Sequence, residues 1–168
     1  MNTKQQNSVK KIAEQAGKIL IEHGHSIAVA ESVTSGHLQS AFSLAQKAMD
    51  FFQGGITAYN IGQKTRHLQV DPIHGVSCNC VSEKIAETMA RQVAKLFTSD
   101  WGIGITGYAS PVPEEGIDQL FACFAIAFHG DIVFSQTIIA DKDDPAAVQS
   151  YYTSHVLKAL ERIMKTKY

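Results

Sequence analysis

Apolar residues recur along this chain with two spacings, one typical of helices and one typical of strands. Helical spacing predicts five helices, at about residues 9–24, 35–45, 61–70, 82–96 and 145–164. Short apolar or alternating runs predict five strands, at residues 27–31, 54–59, 100–106, 119–128 and 132–139. Ser82 is placed to cap a helix. We see no repeat, linker or low-complexity segment, so we predict a single domain over residues 1–168.

The order of these elements predicts an α/β fold. Strands that alternate with helices form largely parallel sheets covered on both faces, whereas a predicted tight turn at His129–Gly130 joins two antiparallel strands. We therefore predict a three-layer α/β/α sandwich around a mixed, mostly parallel sheet of about five strands. Sites in such sheets gather at the carboxyl ends of parallel strands. Ser32, Tyr59 and Thr106 each stand at or near such an end, so we expect them to converge.

Composition narrows the possible partners. The formal net charge is −1 and only 18% of residues are charged, which argues against a nucleic-acid partner. The longest apolar stretch, near residues 120–128, is too short to span a bilayer, and the polar N-terminus does not resemble a signal peptide. Three cysteines without a second ligand-spaced pair favour a reducing, cytoplasmic setting over disulfides or zinc. We expect no metal, no cofactor and no membrane association.

The segment Ala30–His37 is the most informative stretch of the chain. It closes a predicted strand and opens a helix, which leaves backbone N–H groups unpaired at the helix start. Those donors and the helix dipole suit an anion or a developing oxyanion, and the hydroxyl of Ser32 is placed to face the same space. Taken alone, however, Ser, Thr and Gly at a helix start are more often capping residues than catalytic ones.

A second polar set follows the strand at 54–59. Tyr59 ends that strand and Lys64 lies in the first turns of the next helix, a spacing that lets both side chains point into one cleft. A serine needs a base to take its proton, and no Ser–His–Asp set is visible, since His37 lies inside a helix start. Lys64 is the better base if its pKa is lowered. By itself, Tyr-x4-Lys is a frequent chance pattern of a solvated lysine and a half-buried tyrosine.

Together these segments resemble the C-terminal domain of the CinA family. The matching motifs are E-S-x-T-x-G at 31–36, Y-N-x-x-x-K-x-x-x-L-x-V at 59–70, then His74–Ser77, Val81–Glu83 and Gly102–Gly107, in the family's order. The resemblance spans roughly residues 8–165, without the larger N-terminal domain that some members carry. Many members hydrolyse the amide of nicotinamide mononucleotide. The resemblance therefore implies a small-molecule substrate and a homodimer or larger assembly.

The same resemblance assigns roles to residues. It implies that Ser32 attacks the carboxamide, assisted by Tyr59 and Lys64, and that an acyl-enzyme then releases the acid after ammonia has left. The backbone N–H groups of the turn, at Thr34 to Gly36, would hold the oxyanion. The residues implied in substrate binding are Glu31, Thr34, Ser35, Gly36, Thr106, Gly107 and Lys142. Thr106 is equally well interpreted as a turn threonine that bonds its own backbone.

Several departures from the family pattern bear on activity. Ser35 replaces the first of two glycines, where only glycine enters positive φ freely. The loop at 107–119 lacks the family's glycine-rich stretch and carries acidic residues where a phosphate needs positive charge, namely Glu114, Glu115 and Asp118. Lys142 stands in place of an arginine. Two hypotheses stay open: an amidase for nicotinamide mononucleotide or a related carboxamide, and a non-catalytic relative that binds a small ligand or partner protein through the old cleft.

Overall fold

The protein was analysed as a computed structural model that describes residues 3–141 and 143–168. The elements follow the order α1 (Thr3–Glu22), β1 (Ile27–Glu31), α2 (His37–Ser43), β2 (Phe52–Thr57), α3 (Ile61–Leu68), α4 (Pro72–Ser77), α5 (Glu83–Leu96), β3 (Trp101–Gly107), β4 (Leu120–Phe128), β5 (Asp131–Ala140) and α6 (Pro145–Lys167). Short 3-10 turns lie at Ala48–Asp50 and Pro113–Glu115. No helix in these ranges is both long enough and apolar enough to cross a bilayer.

The five strands form one mixed sheet in the order β2-β1-β3-β4-β5. β1 lies in the middle of its parallel neighbours β2 and β3, whereas β4 runs antiparallel to both β3 and β5. The predicted α/β class and mixed five-stranded sheet are confirmed. Antiparallel pairing is more extensive than predicted, because the three strands that take part in it are the longest ones.

The hairpin between β4 and β5 was predicted from its turn residues, His129 and Gly130, and the structure has the turn at these two residues. His129 and Gly130 both adopt left-handed backbone conformations, with φ of 49° and 88°. Two successive positive φ values match the twist of the flanking strands, which explains why a glycine stands at the second position. The turn lies at the edge of the sheet opposite the carboxyl ends of β1, β2 and β3.

Helices cover both faces of the sheet and give the predicted three layers. Large side chains on one face pack against α1, α2 and α6, among them Val29, Ile103 and Phe124. The other face is built from alanines and glycines and receives α3 and α5. At Gly102 and Gly104 an added Cβ would collide with the backbone of α5, so the two glycines let that helix lie directly on β3. Small residues thus bring α5 close to the site-bearing edge.

Capping residues set several helix starts. The Ser82 hydroxyl accepts a hydrogen bond from the N–H of Ile85 at 3.2 Å, which confirms the predicted cap of α5. α4 was not predicted, because Asp71–Pro72 was interpreted only as the stop of the preceding helix. In the structure the same pair starts a helix: Asp71 accepts from the N–H of Ile73 at 3.0 Å, and Pro72 occupies the first turn.

Candidate active site

A cavity of about 730 Å³ opens at the carboxyl ends of β1, β2 and β3. Because these strands are parallel neighbours, the segments that follow them reach one edge of the sheet. Ser32, Tyr59 and Thr106 all line this cavity, as the strand-end argument predicted. The remaining walls come from α3, the turn between α4 and α5, the loop after β3 and the start of α6.

Ser32 and Lys64 meet at the floor of this cavity. The Nζ of Lys64 donates to the Oγ of Ser32 at 2.9 Å and to the carbonyl oxygen of Tyr59 at 3.2 Å. Both side chains are buried, with 6% of Ser32 and 2% of Lys64 exposed. α3 makes this contact possible, since the Asn60 side chain caps the helix by accepting from the N–H of Gln63 at 3.0 Å. The structure therefore joins the predicted nucleophile and base directly.

The electrostatic setting of Lys64 favours its neutral form. Burial lowers the pKa of Lys64, and its interaction with Cys80 opposes that shift in part. Burial likewise raises the pKa of Cys80, so that this neighbouring thiol is kept neutral. A lysine acts as a base only after losing its proton, and desolvation makes that loss easier. Lys64 therefore meets the condition stated for a lysine base, a pKa lowered from the ordinary lysine value.

The start of α2 is filled by the chain's own carboxylate. Glu31 is fully buried and accepts hydrogen bonds from five donors: Thr34 Oγ1 at 2.6 Å, Gly36 N at 3.1 Å, Leu38 N at 3.0 Å, Gln39 N at 2.9 Å and Gln39 Nε2 at 3.2 Å. None of Glu31, Thr34 and Gly36 is among the described residues that line the cavity, and their predicted role in substrate binding stays a prediction. The helix terminus attracts an anion as predicted, but that anion is the carboxylate of Glu31.

The turn between Ser32 and α2 keeps the left-handed backbone that glycine would favour. Ser35 adopts a φ of 47°, and both its N–H and its hydroxyl donate to the Ser32 carbonyl at 3.2 Å. The backbone N–H groups of Val33 and Thr34 have no hydrogen-bond partner among the residues that the structure describes. Val33 lines the cavity beside Ser32. Thr34 is fully buried and is not among the cavity-lining residues, so the Val33 N–H is the donor available to an oxyanion, one residue before the predicted Thr34–Gly36.

Tyr59 reaches Lys64 through its main chain. Its side chain lines the cavity but is 74% exposed, and the contact with the ammonium is made by the carbonyl oxygen. Among the described residues, no hydrogen bond joins the Tyr59 phenol to Ser32 or Lys64. The reason is local: β2 ends at Thr57, so Tyr59 belongs to the loop that leads into α3, where its backbone faces inward.

Thr106 and Gly107 serve structural contacts at the edge of the cavity. The Thr106 hydroxyl donates to the carbonyl of Cys80 at 2.8 Å, which holds the turn between α4 and α5 against β3. A side chain at Gly107 would collide with the Phe121 carbonyl and with Ala122 on β4. Both residues line the cavity as predicted, and the donor capacity of Thr106 is already used. The oxygen of Thr106 still has a lone pair for a ligand.

The loop after β3 forms one wall of the cavity. Glu115 lines the cavity, whereas Glu114 and Asp118 are absent from the described lining. The loop is held to the helix layer by the Tyr152 hydroxyl, which donates to the Tyr108 carbonyl at 3.1 Å. Lys142, predicted to bind substrate, lies outside the described residues.

Sequence reasoning missed the wall between α4 and α5. Asn79 and Cys80 line the cavity with left-handed φ values of 45° and 58°. Neither residue type signals that conformation as glycine does, although asparagine is enriched in it. A Cβ at Gly75, in the family-like motif at 74–77, would collide with Ile61. That glycine was the available signal that α4 packs against the start of α3.

Known proteins resemble this chain in sequence and in fold. The family model described as the CinA C-terminal domain matches residues 9–164. A CinA-like protein of Picosynechococcus sp. is 34% identical over 152 residues, which cover 89% of this chain and 36% of that protein. One from Synechocystis sp. is 43% identical over 100 residues, covering 60% of this chain and 24% of that protein. The chain thus spans about a quarter to a third of the length of these curated relatives.

Solved structures extend the similarity to three dimensions. The crystal structure of a competence or damage-inducible protein from Enterobacter asburiae matches with a TM-score of 0.87 and 25% identity, over 93% of this chain and 98% of that one. A CinA superfamily protein from Enterobacter cloacae matches with a TM-score of 0.87 and 26% identity, over 93% and 92% of the two chains. The mixed sheet and its helical layers are therefore shared with these structures.

Proposed function

This chain belongs to the CinA family, in which it corresponds to the C-terminal domain, and from that premise we propose that it is an amidohydrolase of the nicotinamide-nucleotide type. The substrate is nicotinamide mononucleotide or a related carboxamide, and the products are the carboxylic acid and ammonia. The observation that carries the proposal is the buried contact of 2.9 Å between Lys64 Nζ and Ser32 Oγ. A purely structural pair of this kind would bury a lysine without a carboxylate partner, which is costly.

Acylation begins with the neutral amine of Lys64. It accepts the proton of Ser32 as the serine oxygen attacks the carboxamide carbon, so that the carbonyl oxygen becomes an oxyanion. The backbone N–H of Val33, which lines the cavity beside Ser32, is the donor available to this oxyanion. The ammonium of Lys64 then returns the proton to the leaving nitrogen, the C–N bond breaks, and ammonia departs. The acyl group remains on Ser32.

Deacylation repeats these steps with water. Lys64 accepts a proton from water, the resulting hydroxide attacks the ester carbon, and Ser32 leaves with the proton returned by the ammonium. The Tyr59 carbonyl, 3.2 Å from Nζ, holds the amine in place through both halves of the reaction. The hydrogen bond from Thr106 to the Cys80 carbonyl fixes the facing wall. Each group thus has a defined position before substrate enters.

A second function is favoured by the charge of the loop after β3. Glu115 lines the cavity where a nucleotide would bring its phosphate, and repulsion between the two weakens that ligand. A relative that binds a different small ligand or a partner protein through the cleft has no need of a phosphate contact. It has equally little need of the joined Ser32 and Lys64 side chains, and for this reason we place hydrolysis first.

Incubation with nicotinamide mononucleotide tests the proposal directly. We expect the protein to release free ammonia and an equal amount of the acid, both detectable by enzymatic assay and chromatography. The Ser32→Ala protein, which keeps the fold because it loses one oxygen atom, serves as the control and should release neither product. Binding of the mononucleotide without turnover in the unmodified protein would favour the second function. Absence of turnover with any carboxamide offered would refute the first.

A further inference from the structure

A second groove lies between the edge strand β5 and the later turns of α6. It encloses about 430 Å³, and its lining residues are Phe134, Gln136, His155, Lys158, Ala159 and Arg162. The helical members recur at intervals of three and four residues, which places them on one face of α6. None of the six lines the candidate active site. The two cavities are therefore separate sites on the same fold.

The groove is positively charged, although the chain as a whole is not. His155, Lys158 and Arg162 line it, and no acidic side chain appears among its described lining residues. Glu161, the neighbouring acid on α6, is paired instead with Lys165 at 2.6 Å. Since the formal net charge of the chain is −1, this concentration of positive groups is local to the groove.

The basic side chains of the groove repel one another. Burial lowers the pKa of His155, and the charges of Lys158 and Arg162 lower it further. Like charges brought together cost stability unless an opposite charge lies between them. A bound anion would remove that repulsion and allow the imidazole to carry a proton. The groove therefore has the electrostatics of a site that lacks its counter-charge.

Aromatic neighbours hold two of the three basic groups in place. The guanidinium of Arg162 lies over the ring of Phe134, 5.5 Å from its centroid. His155 contacts the rings of Phe124 and Tyr151 at centroid distances of 6.3 and 6.0 Å. A cation that is already oriented loses less freedom on binding than a solvated one. Such contacts distinguish this groove from a surface with scattered lysines.

We propose that this groove binds a small molecule that carries a pyrophosphate group. A planar guanidinium offers a fork of donors to phosphate oxygens, an ammonium adds a point charge, and an imidazole adds a third donor. The two cations, with the imidazole as a further donor, suit the two phosphate groups of a diphosphate better than a single carboxylate. The volume lies within the range of small-molecule sites, and the side-chain amide of Gln136 offers one further neutral donor.

Calorimetric titration with inorganic pyrophosphate tests the site. We expect saturable binding with one equivalent per chain, and Arg162→Gln should weaken it about tenfold or more, because a hydrogen-bonded charge pair is lost. Arg66→Gln is the matched control: it makes the same substitution at an exposed arginine of α3 that lines neither cavity. It should change the affinity less than about twofold, as expected for an exposed charge. Ser32→Ala should leave binding unchanged, since that residue lines the other cavity.

A second measurement needs no substitution. The imidazole resonances of His155 in the unmodified protein should shift on addition of pyrophosphate and saturate with the calorimetric affinity. Those of His67 on α3, outside the groove, should stay in place. Equal weakening by Arg162→Gln and Arg66→Gln would overturn the proposal, as would a His155 signal that does not respond to millimolar pyrophosphate.

Discussion

The turn after β1 and the loop after β3 line the same cavity but are built in opposite ways. The turn, residues 32–36, is mostly buried, and the Glu31 carboxylate ties it to the start of α2 through five hydrogen bonds. The loop, residues 108–119, is mostly exposed; a bridge joins Val112 to Ile117, and the hydrogen bond from Tyr152 to the Tyr108 carbonyl holds its first residue. Under the proposed function, the well-bonded turn holds the reacting serine and the exposed loop faces the more distant part of the ligand.

This contrast explains how one fold keeps a reaction while its ligand changes. A nucleophile and its base must stay within hydrogen-bond distance of each other, so their supports tolerate little movement. A loop that faces only the distal part of a ligand can change length or charge without moving those atoms. If the proposed hydrolysis is right, residues 107–119 bear on which carboxamide enters, and residues 31–36 and 64 on whether it is cleaved.

The largest effect is expected from removing the dyad. Ser32→Ala and Lys64→Met should each lower kcat/KM for the best carboxamide by about 10³-fold or more, because the serine loses either its oxygen or its base. Methionine fills the buried space of the lysine without a basic nitrogen. The double variant should be hardly slower than either single one, as measured by ammonia release. Multiplicative losses would show that Lys64 acts in binding or stability instead.

A matched lysine separates charge from position in that experiment. Lys84 is exposed on α5 and lines no cavity described here. Lys84→Met removes the same charge and introduces the same side chain as Lys64→Met. We expect it to leave kcat/KM within about twofold of the unmodified value, because an isolated surface charge contributes little. A comparable loss in both variants would contradict the assignment of Lys64.

The next largest effect concerns the support of the turn. Glu31→Gln keeps the shape of the side chain but turns one acceptor oxygen into a donor that faces other donors. Hydrogen bonds to a charged group contribute about 1.5–3 kcal/mol each, so we expect the free energy of unfolding to fall by about 3 kcal/mol. Urea denaturation measures this fall. Glu87→Gln on α5, which breaks only an exposed pair with Arg91, should cost less than about 1 kcal/mol.

The pH dependence sharpens the account of Lys64. Burial places its folded-state pKa below the ordinary lysine value, so kcat/KM should rise about tenfold per pH unit on the acid side of that pKa and then level off. Between the folded and unfolded pKa values the unfolded chain binds more protons, so the contribution of Lys64 to unfolding free energy increases with pH. Lys64→Met should lack this increase. An activity profile that falls with pH across this window would contradict a lysine base.

Much of the fold was predictable because the strands and their turns follow local rules. The hairpin at His129–Gly130 and the cap at Ser82 depend on a few neighbouring residues, and both lie where the sequence placed them. The extent of antiparallel pairing and the helix α4 were harder to predict. The pairing depends on strand length, and α4 depends on an Asp–Pro pair that ends one helix and begins the next. Those outcomes are decided by tertiary packing.

The candidate site was predictable in its residues but less so in their partners. Strand ends and motif spacing indicated Ser32 and Lys64, which the structure joins at 2.9 Å. The sequence did not reveal that Glu31 would satisfy the helix start, because its carboxylate must fold back across several residues to do so. Nor did the sequence predict that Tyr59 contacts Lys64 through its carbonyl oxygen, because residue type does not determine the orientation of the backbone.

The smallest effect tests the loop side of the comparison. Glu115 lines the cavity and its neighbour Glu114 does not, although both are exposed acids on the same turn. Glu115→Gln should therefore strengthen binding of nicotinamide mononucleotide roughly two- to fivefold at low salt, since it removes a repulsion that solvent and ions already screen in part. Glu114→Gln should change the logarithm of the affinity for the mononucleotide by less than half as much as Glu115→Gln does. Neither substitution should alter binding of the dephosphorylated riboside by more than about twofold. Calorimetry across a salt series measures both ligands. If the two substitutions change the affinity equally, the loop acts only through its overall charge and not through the position of Glu115. If neither changes the affinity and the mononucleotide binds tightly, the loop does not select against phosphate.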